Sequence, residues 1–474
     1  MQLHLKAGRD AAIPARELAL SVRHLAWPAI ASSLLQTLVF VVDRAMLGQY
    51  SETSLAAMQV AGPIEWSVWS VFAAFEVGAI ARVGQHVGAG DRVGARRAAW
   101  MSLGVAVLTG GALALAAPVL LSLLPWSAKG ASVAVLSEAR GYLGVTLGAS
   151  PAVFATMAAI AVLQGSGDTR TPLVVGVVAN LLHVAANRIL ILGAFGLPAL
   201  GARGAAYSSA GTFVLQAILL LAVLGMPGRR VSLRGALLDE GRPWEGALSE
   251  ARPLLAIGGT ALGERVIYHL GYLGFATMIS RLGDRSMAAN QALISVEAIC
   301  FLSADGFGVA AASLVAQRLG AGKPEEAEQA SRLSVKYAVV LLTSLGLIFL
   351  VARRLILPGF SRDEAVVELG VATMPLLAVA QPFMAVAVVR GQALRGAGAT
   401  RRALAVSAVG AFFVRLSATW FFALHLHMGL IGVWLGSTCD WIVRTALYAV
   451  VGKGAIRGPT PRPVTERRAW RAPS

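Results

Sequence analysis

The sequence contains little cysteine and little charge. Of its 474 residues, 2 are cysteine and 14% are charged. Both cysteines, Cys300 and Cys439, lie within apolar runs, so we expect no disulfide framework, no zinc site and no cofactor. The first 24 residues lack the apolar core and the small-residue cleavage site of a signal peptide, so we expect no segment there to be removed.

Acidic residues are the scarcer charge. The chain has 25 Asp and Glu against 41 Lys and Arg, which gives a net charge of +16. The basic residues are spread among apolar segments, without a basic domain or an aromatic–basic module. This distribution is not typical of a nucleic-acid-binding protein, and we expect no nucleic-acid partner.

Long hydrophobic runs are abundant. Hydrophobic residues make up 56% of the chain and the mean hydropathy is +0.68, beyond the apolar share of soluble proteins. About twelve runs approach the roughly 20 residues that a helix needs to cross a hydrocarbon core. The chain is therefore predicted to be an all-α polytopic membrane protein. The runs are 25–47, 58–84, 97–123, 138–162, 170–193, 203–226, 253–281, 287–316, 332–352, 366–393, 402–424 and 428–451.

The loops between these runs predict the orientation. Loops on one side carry Arg92, Arg96, the arginines between Arg229 and Arg252, and Arg402, whereas loops on the other side carry few basic residues. By the positive-inside rule, both termini are expected in the cytoplasm. We also expect the chain to lie in the inner membrane. The Pro- and Arg-rich tail, 452–474, is expected to be disordered and to contact anionic membrane lipid.

The two halves of the chain repeat one another at a nearly fixed offset. The matches occur in the same order in each half, which chance does not explain. Because the offset spans an even number of predicted helices, both halves have the same orientation in the membrane, as parallel repeats do. The matching pairs are SLAAMQV (54–60) with SMAANQA (286–292), GQHVGAGD (84–91) with AQRLGAGK (316–323), and LQGSGDTR (163–170) with LRGAGATR (394–401).

This repeat predicts the domain organisation. Two six-helix bundles, 25–226 and 253–451, are expected to face each other across a central cavity, and rocking of one bundle on the other would give alternating access. A cytoplasmic N-terminal segment, 1–24, a cytoplasmic linker, 227–252, and the tail, 452–474, complete the chain. We expect it to act as a monomer.

These signatures resemble the multidrug and toxic compound extrusion (MATE) family of cation-coupled efflux transporters, within the multidrug/oligosaccharidyl-lipid/polysaccharide flippase superfamily. The resemblance rests on LLQTLVFVVDRAMLG in predicted helix 1, on the two GAG turns, and on LQGSGDTRTP with its echo LRGAGATRR. Asp43 in helix 1 is most similar to the DinF-like branch, whose members couple to protons or sodium through that residue. The resemblance implies a secondary transporter for lipophilic or cationic compounds, not an enzyme.

Polar residues are expected to meet at one depth of the N-terminal bundle. Asp43 is four residues from the outer end of helix 1, and Asn187 and Arg188 lie at a similar depth in helix 5, with His183 one turn from Asn187 on the same face. A carboxylate inside the membrane is functional by default. We predict that Asp43 is the coupling carboxylate, surrounded by Asn187, His183 and Arg188, and that its protonation breaks a link to Asn187 or Arg188. The alternative is a static polar contact, with Arg44 reaching the interface.

The coupling ion is predicted from a departure from the DinF-like pattern. That pattern has a second aspartate where this chain has Asn187, and an asparagine where it has His183. A site with one carboxylate holds Na⁺ less well, because hard cations need oxygen ligands and compensating charge. We therefore favour proton coupling over Na⁺ coupling. His183 can titrate as well, although a lone helix-facing histidine is more often a structural core residue.

Other residues predict a second site and a substrate cavity. Glu264 lies near the middle of helix 7, where the NorM-like branch carries an important glutamate, and is a candidate second cation or substrate site with Glu297 and Arg415. The alternative is that Arg265 simply neutralises it. Aromatic residues beside the cavity form either a wall for flat lipophilic cations or ordinary core. The cavity residues are expected to be Gln36, Glu65, Trp66, Trp69 and Glu76.

The glycine-rich repeats have a structural interpretation. Their glycines are expected to adopt positive φ in short turns, and an arginine after each is expected to anchor the turn to headgroups or carbonyls. A phosphate-binding loop is the alternative, but no GK[ST] follows. The residues are Gly165, Gly167 and Arg170 in the first half and Gly396, Gly398 and Arg401 in the second.

Two other functions are open alternatives. A flippase for lipid-linked oligosaccharide would bind a pyrophosphate headgroup through Arg44, Arg188, Arg265 and Arg415, and a strongly basic cavity would favour it. A membrane-embedded enzyme would need a nucleophile and base or a metal cluster, for which the sequence has no pattern. We predict a multidrug efflux antiporter driven by protons.

Overall fold

The computed structural model describes residues 15–127, 132–234, 243–361, 363–451 and 456. Within these ranges the chain is built from helices and turns, without strands, as predicted. The first half contains α1 (Ala15–Tyr50), α2 (Glu52–Gly88), α3 (Arg92–Ser122), the short α4 (Leu124–Ser127), α5 (Val133–Gly148), α6 (Ser150–Gly165), α7 (Arg170–Leu192) and α8 (Gly201–Leu224).

The second half begins with four long helices and continues with an interrupted one. The interruptions are π-helical, with Ala408–Val414 between α13 and α14 and Trp420–His425 after α14. The helices are α9 (Pro243–Ser280), α10 (Asp284–Gly320), α11 (Pro324–Ile356), α12 (Glu364–Gly396), α13 (Thr400–Ser407), α14 (Arg415–Thr419) and α15 (Gly429–Val451).

Some of the helices begin at side-chain caps. The hydroxyl of Ser51 accepts from the backbone of α2, and the carboxylate of Asp91 accepts from the N–H of Gly94 in α3. Such caps satisfy N–H groups that a first turn leaves without a partner. Short polar links therefore separate the long apolar helices and set where each one enters the bundle.

Two predicted runs are not single regular helices. The run 138–162 is divided into α5 and α6, which are bent by 53° at Ala149. Pro151 explains the break, because a proline in the second position of α6 has no N–H to bond back to α5 and its ring crowds the preceding turn. The run 402–424 contains the two π-helical stretches, so its side chains do not follow regular α-helical spacing along the whole run.

The described ranges contain nine helices that are long and apolar enough to cross a membrane, and the bent pair α5–α6 makes up to ten. α9 and α15 are not among them. Both carry charge in their middles, with Glu264 and Arg265 in α9 and Asp440 and Arg444 in α15. They are as long as the other helices and pack against α2 and α12 respectively, so each of the predicted runs is helical.

Some predicted segments differ from the structure at their ends. α1 begins at Ala15, and Leu18 and Val22 are buried in the core of the second half, so part of the predicted N-terminal segment is a packed helix. The predictions for residues 1–14, for 235–242 of the linker and, Ile456 apart, for the tail 452–474 lie outside the described residues.

α2 and α10 cross very closely at the end of the molecule that bears the glycine turns. A Cβ atom on Gly88 would overlap the carbonyl oxygen of Gln317, and a Cβ atom on Gly320 would overlap that of Gln85. The contact is reciprocal, because Gln85 and Gly88 correspond to Gln317 and Gly320 in the repeat. We call these four residues the glycine crossing.

The glycine turns beside the crossing require glycine for two different reasons. Gly167 and Gly398 have φ of 87° and 78°, as expected for turn residues that L side chains disfavour. Gly165 and Gly396 do not, and there the expectation was wrong. A Cβ on Gly165 would lie 2.9 Å from the Ile80 oxygen, and one on Gly396 would overlap Ala312, so these two glycines allow close helix packing.

The predicted arginine anchors of the turns, Arg170 and Arg401, are exposed. The first turn is held by Asp168, whose carboxylate accepts from the backbone and hydroxyl of Thr171 and pairs with Arg229 at 2.9 Å. The described part of the linker is therefore tied to the turn that follows α6.

A polar cluster ties α2 to α9 at the same end. Arg82 donates to both oxygens of Glu250, at 2.7–2.9 Å, and the ring of His86 lies 3.2 Å from Glu250 and 3.0 Å from Asp91. The hydrogen bond with His86 holds the pKa of Asp91 below its ordinary value. Burial would raise the pKa of Glu250, but the bond with His86 and the Arg82 charge lower it. The cluster closes this end beside the glycine crossing.

Candidate functional site

Three polar side chains meet where α1 passes α7. Nε2 of His183 lies 2.9 Å from Oδ1 of Asp43. The amide of Asn187 donates to the same oxygen and lies 3.1 Å from His183 Nε2. His183 and Asn187 are one helical turn apart, so α7 presents both to α1. We call Asp43, His183 and Asn187 the carboxylate cluster.

The cluster is open on one side only. The side chain of Asp43 is 20% exposed and that of His183 is 3% exposed, and Asn187 is fully buried. Burial at this depth makes an unpaired charge costly. A proton or another cation can reach the site through Asp43, while His183 and Asn187 form its inner wall.

The far side of His183 faces α8. Its Nδ1 atom lies 3.0 Å from the hydroxyl of Ser208 and 3.1 Å from that of Thr212. Ser208 also lies 3.1 Å from the backbone oxygen of His183, and Thr212 donates to the backbone oxygen of Ser208 at 2.8 Å. Both ring nitrogens of His183 therefore have polar partners.

The structure separates Arg188 from the cluster. Arg188 is the residue after Asn187 and is exposed on another face of α7. Arg44, next to Asp43, lies with its guanidinium 4.4 Å from the centre of the Phe40 ring. The structure thus brings together three of the four residues predicted to form the coupling site, and it places Arg188 outside.

The residues predicted for a second site belong to different ion-pair networks. Glu264 pairs with Arg395 at 2.8 Å and accepts a hydrogen bond from Ser407. Arg415 pairs with Asp440 at 2.8 Å. Asp440 also pairs with Arg444, its neighbour one turn further along α15.

Glu297 lies on the Arg415 side of this division. It interacts electrostatically with Arg415 and Asp440, and its Oε1 atom has no hydrogen-bond partner within the described residues. Arg415 likewise has a buried Nε without a partner there. Glu264, Glu297 and Arg415 therefore do not form one joint site, because Arg395 already balances Glu264.

The predicted cavity residues lie in different surroundings. Gln36 and Trp66 are exposed, whereas Glu65 is buried and accepts a hydrogen bond from Tyr142 at 3.0 Å. Trp69 packs edge-on against an aromatic ring of α8, with centroids 5.4 Å apart. Glu76 faces a small enclosed space between α2, α3 and α9, lined by Phe72, Phe75 and Leu254 among others.

Several partners were missed from the sequence. Tyr142, Arg395, Ser208 and Thr212 contact the predicted residues across the bundle, far away in the chain. The polar face of α8 was visible as a serine and a threonine one turn apart, four residues from each other. No sequence pattern around Tyr142 or Arg395 indicated which residue each one contacts.

Comparison with known proteins decides the family. Residues 28–189 and 261–421, more than half of the chain, match the family model MatE. The chain belongs to the MatE family. The matched residues include α1 through most of α7, with the carboxylate cluster, and the equivalent part of the second half.

Other MatE proteins are similar over almost their whole length. The probable multidrug resistance protein NorM of Thermotoga maritima is 29% identical over 427 residues, 89% of each chain. The multidrug resistance protein MdtK of Edwardsiella ictaluri is 25% identical over 428 residues, 88% of this chain and 91% of that one. These relatives are transporters, and the predicted assignment to a transporter rather than an enzyme is confirmed.

The fold agrees with solved MatE structures. One, described as the outward-facing conformation of a multidrug resistance MATE family transporter of the MOP superfamily, aligns with a TM-score of 0.84 at 18% identity. It covers 94% of this chain and 99% of that chain. The predicted all-α transporter fold is therefore confirmed.

Proposed function

We propose that this MatE transporter is a multidrug efflux antiporter that exports lipophilic or cationic compounds in exchange for protons, with Asp43 as the coupling carboxylate. It would lie in the inner membrane, and the distribution of basic loops supports a cytoplasmic position for both termini. The names of NorM and MdtK support the substrate class, and Asp43 supports placement in the DinF-like branch.

The observation that carries this proposal is the carboxylate cluster. A half-open carboxylate faces an imidazole at 2.9 Å instead of a second carboxylate. Imidazole binds protons near neutral pH, whereas Na⁺ needs several oxygen ligands and compensating charge. The cluster therefore suits a proton better than Na⁺.

The closed glycine crossing supports the direction of exchange. With the predicted cytoplasmic end closed, Asp43 lies in the half of the molecule away from that end and is accessible to protons from outside. A proton bound there would change the contact between α1 and α7. Rocking of the two bundles about the crossing would then expose the substrate path to alternate sides.

The flippase alternative is less well supported. It requires arginines that share one basic cavity. Arg44 instead stacks on Phe40, Arg415 is paired with Asp440, and Arg188 is exposed. A pyrophosphate headgroup would have to break the contacts of Arg44 and Arg415 before these residues could bind it, and Arg188 lies apart from them on an exposed face of α7.

The test is efflux of a fluorescent lipophilic cation from liposomes that contain the purified protein. An imposed pH gradient is compared with an imposed Na⁺ gradient, for wild type and for Asp43→Asn. We expect the pH gradient alone to drive wild-type efflux, and Asp43→Asn to stop efflux while dye binding stays measurable. Arg188→Gln, on α7 but outside the cluster, is the matched control and should transport normally.

The outcomes separate the alternatives. Normal pumping by Asp43→Asn would remove Asp43 from the mechanism, and efflux driven by Na⁺ alone would replace the proton as coupling ion. If neither gradient moves the dye in the wild type, the flippase becomes the better proposal.

A further inference from the structure

His183 is held so that one particular nitrogen points at Asp43. The hydroxyl of Thr212 gives its proton to the backbone oxygen of Ser208 at 2.8 Å, and that of Ser208 lies 3.1 Å from the backbone oxygen of His183. A hydroxyl has one proton, so with both protons given to carbonyls each oxygen can only accept. Nδ1 of His183, 3.0–3.1 Å from both oxygens, is then the atom that must donate.

This arrangement determines the state of the other nitrogen. A neutral imidazole carries one N–H, so if Nδ1 carries it, Nε2 is a bare acceptor. Asn187 fits that state, since its amide has two N–H groups and reaches both Nε2 and Oδ1 of Asp43. An unprotonated Nε2 and a carboxylate oxygen 2.9 Å apart would repel one another. A proton held between the two atoms removes that repulsion and accounts for their hydrogen-bond distance.

We propose that the transported proton is held between Oδ1 of Asp43 and Nε2 of His183, with Ser208 and Thr212 as positioning residues that keep the other ring proton on Nδ1. The inference rests on the proposed proton coupling and adds the second proton acceptor and the order of events. The arriving proton binds the exposed carboxylate and is shared as O–H to Nε2 or as carboxylate to N–H. When the proton leaves toward the cytoplasm, its O–H or N–H bond breaks and no other covalent bond changes.

The sign of the conformational change follows. With the proton present, α1 and α7 are joined by a hydrogen bond. Without it, two acceptors face each other and the Asn187 amide is the donor that remains between them. Proton release therefore loosens α1 from α7, which is the opposite of the sequence-based expectation that protonation breaks the link.

Within the described residues, the other titratable groups near the cluster make their contacts elsewhere. α8 contributes the uncharged Ser208 and Thr212. From α1 and α2 the nearby charged groups are Arg44 and Glu65, and Glu65 accepts a hydrogen bond from Tyr142 of α5. His183 is the titratable group in hydrogen-bond contact with Asp43.

The experiment is nitrogen NMR of ¹⁵N-histidine-labelled protein in lipid bilayers between pH 5 and pH 9, with the His183 signals assigned by their loss in His183→Gln. Ring nitrogen shifts distinguish a bare, a protonated and a hydrogen-bonded nitrogen. We expect Nδ1 of His183 to stay protonated at every pH and Nε2 to gain a proton as pH falls. Asp43→Asn should change the Nε2 signal, because the oxygen that shares the proton with Nε2 is then no longer a carboxylate.

A second variant tests the positioning. In Ser208→Ala/Thr212→Val, Nδ1 loses both acceptors, so we expect the ring proton to move to Nε2 at high pH. His425→Asn, which removes an exposed histidine of the second half, should leave the His183 signals unchanged.

Transport completes the test. His183→Asn keeps a polar group but cannot bind a proton, and we expect its proton-driven efflux to fall at least about tenfold with a changed pH profile. A bare Nδ1 with a permanent N–H at Nε2 across the pH range would overturn the inference, and so would normal pH-dependent efflux by His183→Asn. Neither result would exclude Asp43 from the proposed function. Absence of gradient-driven efflux in the wild type would overturn the proposed function, but the protonation of the His183 ring could still be measured by NMR.

Discussion

Alanine at Gly88 or Gly320 is expected to open the end of the molecule that is predicted to be cytoplasmic. Each new Cβ atom would overlap a backbone carbonyl oxygen across the glycine crossing, that of Gln317 or that of Gln85. A backbone oxygen cannot swing aside as the tip of a long side chain can, so α2 and α10 must separate. Overpacking of this kind costs about 1–3 kcal/mol, and a coupling of that size changes a two-state ratio roughly 5- to 150-fold.

The assay is a distance measurement between spin labels. Arg92→Cys and Glu325→Cys place labels at exposed positions at the starts of α3 and α11, directly after the two crossing helices, once both native cysteines are replaced by serine. We expect one short distance in the parent protein. A second, longer distance should be populated in Gly88→Ala and also in Gly320→Ala.

A matched glycine provides the control. Gly104 lies inside α3, and nothing is within 4 Å of a Cβ built on it, so Gly104→Ala should leave the distance unchanged. The reasoning is refuted if both crossing variants keep the parent distance. It is equally refuted if Gly104→Ala opens the end as far as they do, since the effect would then not depend on the crossing.

Three further predictions concern stability. Glu264→Gln leaves Arg395 without its charged partner at 2.8 Å, so we expect the free energy of unfolding to fall by about 3–5 kcal/mol and the thermal midpoint to fall with it. The double variant Glu264→Gln/Arg395→Gln should restore part of that midpoint. Equal midpoints for wild type and Glu264→Gln would contradict this prediction. Asp91 has a lowered pKa in the folded protein, so its contribution to stability is present above the ordinary carboxyl pKa and is lost as pH falls below about 4. The thermal midpoint of Asp91→Ala should therefore fall less steeply between pH 5 and pH 3 than that of the wild type. Parallel curves would exclude the contact with His86 as the cause of the wild-type pH dependence. Gly398→Ala forces φ of 78° on an L residue and should lower the free energy of unfolding by about 1–2 kcal/mol. A denaturant titration that shows no change in this free energy would exclude the prediction.

The level of the carboxylate cluster could be predicted because depth along a helix depends on helix geometry alone. Depth in a membrane follows from the rise per residue, and a shared face follows from spacing, so Asp43, Asn187 and His183 could be placed at one level. Arg188 was misplaced because adjacent residues on a helix point in different directions, and depth does not determine direction. Its exposure depends on which face of α7 packs against α1.

The ion pairs between distant helices could not be predicted. Glu264 and Arg395 lie in different helices, and their contact depends on how α9, α12 and α13 pack. Hydropathy reports that a helix lies in the membrane but not which neighbour it touches. The break between α5 and α6, by contrast, is predictable from Pro151, because proline disrupts the interior of a helix.

The pairing of Glu264 with Arg395 has a consequence for energetics. That carboxylate already carries its counter-ion on the same chain, so exchange with an external cation there would first require removal of an arginine. With one proton exchanged at Asp43 in the proposed mechanism, each cycle trades one proton for one substrate. For a monovalent cation this trade is electroneutral, so the membrane voltage adds nothing, and each unit of pH difference sustains about a tenfold accumulation ratio.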